Sequence, residues 1–423
     1  MTGFVRHSML LFLALRAGDL VNLAAGMWFV PKYVSPGDLG AVLPVTSFAT
    51  FLALPLFAFA MTVMRESASL AAAGERGRVK SVLKGVFIAV GAVTVLALAA
   101  TALLMPHFLS AMRVSERGVG FLVVSAALLG CVAPVYTDAL QALRRFRALA
   151  FAEVAGALVR FAVLLVAMPV QALAGYFAGQ AAMPVCRIAV SAAALRRDLS
   201  LPAEPFWDRA AVRRLVAGFV AVLAYQAVPM GVSLVEQSVL RTALPAADSA
   251  GYYMASRLSD ILHYLTFPLL LVMFPYTATA AAKGESVRPY VVRCMCATLV
   301  AAAALSVVYA FFGGALLSLL PNGMIYAAYA RHLPLLLLIT ALTSCQVFAT
   351  NADVSAGRYG FLWWFVPLHL AYAGVLAFSV HAGWTTTLDG LLVWFAAASA
   401  LRFAFAAVRL PDNLFSPRLR ASA

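Results

Sequence analysis

From Met295 to Leu320 the chain carries no charged side chain. An α-helix rises 1.5 Å per residue, so about 20 apolar residues cross a hydrocarbon core of about 30 Å. Stretches of this kind recur from one end of the 423 residues to the other. Strands of a membrane barrel would alternate polar and apolar residues over about 10 positions. These stretches do not alternate, so the chain reads as an all-α polytopic membrane protein. The spans fall near Met9–Val30, Leu39–Met64, Val86–Phe108, Val119–Leu140, Leu149–Met168 and Val170–Leu195, then Leu215–Leu240, Gly251–Tyr276, Met295–Leu320, Leu333–Val354, Phe361–Val380 and Leu388–Val408. That is about twelve transmembrane helices. The fifth and sixth nearly touch at Met168-Pro169-Val170. Composition agrees: a soluble domain carries about 25% charged residues, and this chain carries 11%.

The net charge of +14 is distributed by loop rather than gathered into a nucleic-acid-binding patch. Basic residues crowd alternate loops: Arg6; Arg65, Arg76, Arg78, Lys80 and Lys84; Arg144, Arg145 and Arg147; Arg196, Arg197, Arg209, Arg213 and Arg214; Lys283, Arg288 and Arg293; Arg358; and Arg402, Arg409, Arg418 and Arg420. The intervening loops hold Lys32, Arg113, Arg117, Arg241 and Arg331. By the positive-inside rule both termini are expected in the cytoplasm. The excess charge meets anionic membrane lipids, and no nucleic acid is expected as a partner. Arg16, Asp19 and Asn22 interrupt the first span, which marks a retained helix rather than a signal peptide.

The chemistry of an enzyme is not visible. No Gly-rich phosphate loop with its lysine is present. Cys131, Cys186, Cys294, Cys296 and Cys345 fall in or beside spans and read as small apolar helix residues. With His7, His107, His263, His332, His369 and His381 they make no metal-ligand spacing, so no cofactor is expected.

The two halves of the chain resemble each other. Gly40 matches Gly251, Pro55 matches Pro268, Gly74 matches Gly284, and Cys131 to Arg144 matches Cys345 to Arg358, all at a near-constant offset. The expected organisation is a six-helix bundle over 1–199, a cytoplasmic connector over 200–214 and a second six-helix bundle over 215–423. An even number of helices per half keeps both halves in the same orientation, so a pseudo-twofold axis along the membrane normal relates them. In such a pair the substrate site lies between the halves. Pro55, Pro268 and Pro275 read as bends that let the halves splay.

Inside the spans, Arg16, Arg160, Arg187 and Arg257 are the residues that need explaining. Each costs about 2.5–3.5 kcal/mol near the bilayer centre, unless it faces a wet cavity, pairs with an acid or reaches an interface. Arg16, Arg187 and Arg257 lie about 10–12 Å from a span end, within reach of snorkelling. Arg160 lies about 18 Å into its span, too deep for that escape. Arg16 and Asp19, and Arg257 and Asp260, stand i, i+3 on one helix face. Glu153 stands two turns before Arg160, and Asn22 continues the stripe of Arg16 and Asp19. Tyr253, Arg257, Asp260 and Tyr264 form another stripe, and Gln226, Ser233, Glu236 and Gln237 a further one. Polar stripes on apolar helices suit a lumen; a buried structural ion pair explains each pair equally simply. Guanidinium forks match phosphate oxygens, so arginines at several depths suit an anion moving past them. Glu236, Asp260, Asp138 and Asp353 are candidates for a coupling ion, H+ or Na+, although helix-end solvation accounts for the last two.

The stretch from Tyr136 to Ala150, YTDALQALRRFRALA, resembles the fourth-to-fifth helix junction of bacterial polysaccharide transporters. The stretch from Ala247 to Leu258, ADSAGYYMASRL, followed by Phe274-Pro275, resembles their eighth helix. These transporters are the lipid-linked oligosaccharide flippases (Wzx type) of the multidrug/oligosaccharidyl-lipid/polysaccharide exporter superfamily. The resemblance implies a V-shaped, two-lobed bundle in the bacterial inner membrane working by alternating access. It implies an undecaprenyl-diphosphate-linked oligosaccharide as substrate, flipped from the cytoplasmic to the periplasmic leaflet, with a glycan polymerase or glycosyltransferases as partners. It implies a cationic lumen, which Arg16, Arg160, Arg187 and Arg257 would supply, with Asp19, Glu153, Gln226, Glu236 and Asp260 as polar or coupling residues. The peptidoglycan-precursor flippases of the superfamily have two more helices, which this chain lacks. Two other readings stay open: a cation-coupled multidrug exporter of the same superfamily, and a membrane glycan polymerase or ligase.

Overall fold

A computed structural model describes residues 13, 16–72, 76–114, 118–142, 145–199, 209–282, 285–355, 358–384 and 386–409. Every expected span carries a helix. We label them α1 (16–33), α2 (Val42–Ala72), α3 (Arg76–Ala111), α4 (Gly118–Ala142), α5 (Phe146–Ala167), α6 (Ala172–Leu199), α7 (Arg209–Ala243), α8 (Ala246–Ala282), α9 (Arg288–Ser318), α10 (Leu333–Ser355), α11 (Leu362–His381) and α12 (Leu388–Arg409). No strand occurs among the described residues. Nine helices there are long and apolar enough to cross a membrane. Val166, Val170, Phe311 and Trp363 are 75–87% exposed, a surface that belongs against lipid tails and not water. The protein is a multi-pass α-helical membrane protein.

The largest departures of the helix ends from the expected spans are extensions. α2, α3, α7 and α8 run past them by up to several turns at the basic ends, because nothing in the sequence there breaks a helix. Most prolines inside the spans do not end helices either. α8 passes through Pro268 and Pro275, and Pro55, Pro106, Pro134, Pro184, Pro229 and Pro367 all lie inside helices. The freed carbonyls are tolerated where neighbouring helices or water satisfy them. Pro44 is an exception, since it sits in the first turn of α2, where its missing N–H has no intrahelical acceptor to lose. Gly74, Arg144 and Gly284, three of the repeat landmarks, lie outside the described residues.

By contacts the chain divides into two compact units, Met1–Ser238 and Val239–Ala423. In the first unit, α6 packs against both α4 and α5, and α2 packs on α4. Without a hydrophobic drive between helices in lipid, such contacts depend on small residues that let backbones approach. Gly18 of α1 meets Ala157 of α5, where an added Cβ would sit 3.7 Å from the alanine Cβ. The junction at Met168-Pro169-Val170, where the fifth and sixth spans nearly touch, is a tight turn closed by Gly175: a Cβ there would lie 2.6 Å from the backbone of Ala167 and Met168. Phe29 packs edge-on against Phe161, and Phe48 stacks on Phe108.

In the second unit α10 is central, packed against α8, α9 and α12. Its inner face buries Cys345, Phe348, Ala349 and Ala352 among Met273, Val291 and Met295. The Tyr309 hydroxyl of α9 donates to the Leu258 carbonyl of α8 at 2.8 Å, and Thr277 meets Ser355 at 2.8 Å. The 3-10 segment Ala327–His332 is fastened at the N-terminal ends of two helices. Tyr329 donates to Asp248 at 2.6 Å, while Arg331 and His332 bond Asp389 at 3.1 and 2.6 Å. Both aspartates lie in first helical turns, where the helix dipole favours a carboxylate.

Candidate functional site

In the first unit, α1, α5 and α6 bring most of the expected site residues into one cluster. On α1, Arg16 and Asp19 pair at 2.9 Å, as their spacing required. One turn on, Asn22 accepts a hydrogen bond from Arg160 Nη1 of α5. Immediately beyond, Ala25–Phe29 forms a π-helical turn closed by the Val30 N–H on the Ala25 carbonyl. Such turns concentrate at functional sites, and no sequence signal announced this one.

Glu153 was expected to share a face with Arg160. The structure gives it a partner on another helix: Glu153 forms an ion pair with Arg187 of α6. A glycine makes the crossing feasible. A Cβ on Gly156 would sit 3.0 Å from Arg187 Cγ and 3.4 Å from its Nε, so the arginine stem lies in the groove that Gly156 leaves open. Asp19 is within electrostatic reach of Glu153, which links the α1 pair to the α5–α6 pair. Arg16, Arg160 and Arg187 outnumber Asp19 and Glu153, so the cluster keeps a net positive charge among the described residues.

Depth does not rank these arginines as the span ends suggested. α5 ends at Ala167, only about 10 Å beyond Arg160, whereas Arg187 is at least about 18 Å from either end of α6. Burial ranks them instead. Arg160 is 6% exposed, against 20% for the Arg16 side chain and 26% for that of Arg187. Arg160 turns into the unit, so snorkelling does not explain it.

Arg187 also borders a cavity of about 230 Å³ between α2, α4 and α6. Thr46, Thr50, Gln180 and Pro184 supply its polar edge and Val123 and Phe177 its apolar wall. Thr46 and Thr50 spend their hydroxyl protons on the Val42 and Thr46 carbonyls, and the Gln180 amide donates to Tyr176. Pro184 has no N–H to give the Gln180 carbonyl four residues earlier. The cavity edge therefore offers mainly acceptors, with the second Gln180 amide hydrogen and one guanidinium as donors. The sequence reading passed over Pro184, although an in-span proline one turn before an in-span arginine was the available signal.

In the second unit, Arg257 and Asp260 of α8 pair at 2.9 Å, as expected. Arg257 also lies 5.1 Å from the ring centre of the buried Tyr253, a cation–π contact. Gln226 and Glu236 belong to the first unit, where they are half-buried on α7. Asp353 forms an ion pair with Arg358 at 3.4 Å; the Asp138 side chain lies outside the described residues.

Two arginines taken for loop residues are buried in helices. Arg241, in the last turn of α7, is 4% exposed, and Arg402 of α12 is 7% exposed. Arg402 donates to the Ala398 carbonyl at 3.2 Å and to Ser399 at 3.1 Å, and lies 5.1 Å from the Tyr372 ring centre. It is within electrostatic reach of the buried His369. The His369 Nδ1–H donates to the Phe365 carbonyl at 2.8 Å, leaving Nε2 to accept from the Gln346 amide at 3.4 Å.

No family model matches the sequence, and no curated protein does. Solved structures do. An inward-facing multidrug resistance MATE family transporter of the MOP superfamily aligns over 93% of this chain and 94% of its own, with a TM-score of 0.70 at 15% identity. The lipid II flippase MurJ, in an inward closed conformation, aligns over 96% of this chain and 87% of its own, with a TM-score of 0.65 at 10% identity. The chain has the fold of these transporters. An outward-facing MATE transporter aligns as well, over 96% of this chain and 95% of its own, at a TM-score of 0.65 and 15% identity. MATE- and MurJ-like chains thus share this helix order while differing from it at most positions.

Proposed function

We propose that the protein flips an undecaprenyl-diphosphate-linked oligosaccharide across the bacterial inner membrane by alternating access. The observation that carries this reading is the cluster around Arg160, in which guanidinium groups exceed carboxylates among the described residues. A fold shared with a lipid II flippase supports it. In this reading the bundles at 1–199 and 215–423, joined by the 200–214 connector, rock about a central substrate path, with both termini cytoplasmic. Arg160, Arg16, Arg187 and Arg257 meet the diphosphate in turn. Asp19, Glu153 and Asp260 hold the arginines between substrates and, with Glu236, offer sites for H+ or Na+, while Gln226 adds a neutral polar contact. Moderate sites at several depths release an anion more readily than one deep trap.

One finding favours the multidrug exporter instead: Arg16, Arg187 and Arg257 each have an acidic partner, which mutes the charge a phosphate would sense. Complementation separates the two. Expression in strains lacking defined oligosaccharide flippases restores surface glycan in at least one of them and leaves drug susceptibility unchanged. Drug resistance without glycan rescue reverses the assignment.

A further inference from the structure

The cavity of about 230 Å³ between α2, α4 and α6 lies wholly within the first unit. Gly130 of α4 stands at its edge, exposed, and an added Cβ there would meet no atom within 4 Å. The cavity therefore opens on the surface of the unit beside this glycine. Two helices meet it with polar groups. Thr46 and Thr50 stand one turn apart on α2, and Gln180 and Arg187 stand two turns apart on α6, so each pair shares a helix face. No acidic residue is in the lining among the described residues.

We propose that this cavity receives the sugar residue next to the diphosphate of the lipid-linked substrate, with Thr50 and Gln180 selecting it. This rests on the reading given under Proposed function and names a sugar contact for the same substrate. The hydrogen-bonding inventory decides the class of ligand. The Thr46 and Thr50 hydroxyls give their protons to backbone carbonyls, so toward a ligand their oxygens accept. The Gln180 amide gives one hydrogen to Tyr176, which leaves its other hydrogen and its carbonyl among the described residues. Arg187 only donates. A bare anion would face the threonine lone pairs, and a cation would face the guanidinium. A neutral ring of hydroxyls donates to the threonines and accepts from the amide and the guanidinium, while its C–H faces suit the wall of Val123 and Phe177. Size agrees. Sites for drug-sized ligands hold about 300–1,000 Å³, whereas this one is the size of a single pyranose ring. Arg187 fixes which sugar enters. Glu153 engages its Nη2, and its side chain stays 26% exposed, so a phosphate on the guanidinium places the adjoining sugar at the cavity. An ion pair beside a polar edge belongs to a wet path and not to a seam facing lipid tails.

The test is native mass spectrometry of the intact protein in detergent. The probes are undecaprenyl diphosphate without sugar and the same lipid bearing glucose or N-acetylglucosamine. The gain in affinity from the sugar is read, not the total affinity. Wild-type protein is expected to bind at least one sugar-bearing lipid about ten-fold or more tightly than the bare lipid. Gly130→Leu fills the mouth and is expected to abolish that gain. Thr50→Val and Gln180→Leu are each expected to cut it by about three- to ten-fold. Binding of the bare lipid is expected to stay unchanged in all three, which also shows that they are folded. A full sugar gain in all three variants overturns the sugar site and leaves the proposed function standing. A wild-type protein that binds bare and sugar-bearing lipids equally overturns it too. Equal loss of the bare lipid in the variants marks a phosphate site and overturns it as well. A wild-type protein that binds none of the three lipids removes the proposed function and the sugar site together.

Discussion

Arg160→Ala is expected to reduce glycan export by about ten- to a hundred-fold while the protein stays in the membrane at wild-type level. The size follows from one charge-assisted hydrogen bond to a phosphate, worth about 1.5–3 kcal/mol. Arg160 is the most buried of the four arginines in the candidate set, and its Asn22 partner is neutral. Arg160→Lys keeps the charge but not the fork and is expected to export at an intermediate rate. Quantified surface glycan, with membrane-fraction immunoblots for protein level, reads both. Wild-type export in Arg160→Ala would remove this residue from the substrate path.

The second large effect is on stability. Glu153→Gln leaves the Arg187 guanidinium beside Gly156 without its carboxylate. Removing one partner of a buried ion pair costs about 3–5 kcal/mol, enough to threaten a marginally stable fold. The Glu153 side chain is 11% exposed and that of Arg187 26%, so water reaching Arg187 offsets part of the loss and the cost falls at the lower end of that range. Pairing Glu153→Gln with Arg187→Met is expected to recover most of the loss, since an apolar replacement removes the stranded charge as well. Thermal unfolding in detergent measures both variants. A single variant within about 0.5 kcal/mol of wild type would mean that the pair is solvated through the neighbouring cavity.

Much of this architecture was legible along the chain, because helix count and helix face follow from local periodicity. The Arg16–Asp19 and Arg257–Asp260 pairs came from spacing alone, since i, i+3 residues on one helix meet whatever surrounds them. The Glu153–Arg187 pair did not, because it depends on how α5 and α6 cross. The determinant is Gly156, whose missing side chain says nothing in sequence about which neighbour will fill the space. Arg402 and Arg241 were misread for a different reason. Both stand within two turns of a span end, where a count of flanking charges and a buried side chain look identical. His369 went unassigned because its partners, Gln346 and Arg402, come from α10 and α12. Local order was therefore readable, while the contents of the site awaited the helix crossings.

The central claim is that a lipid diphosphate carrying sugars is what moves. Proteoliposomes loaded with an undecaprenyl-diphosphate-linked oligosaccharide test it directly, with a glycosidase added outside to report the fraction of sugar headgroups that becomes accessible. The account predicts that wild-type protein exposes the inner-leaflet pool, and that Arg160→Ala liposomes expose it at least about ten-fold more slowly. Headgroups that stay protected with wild-type protein, under either an inward or an outward H+ or Na+ gradient, would contradict it.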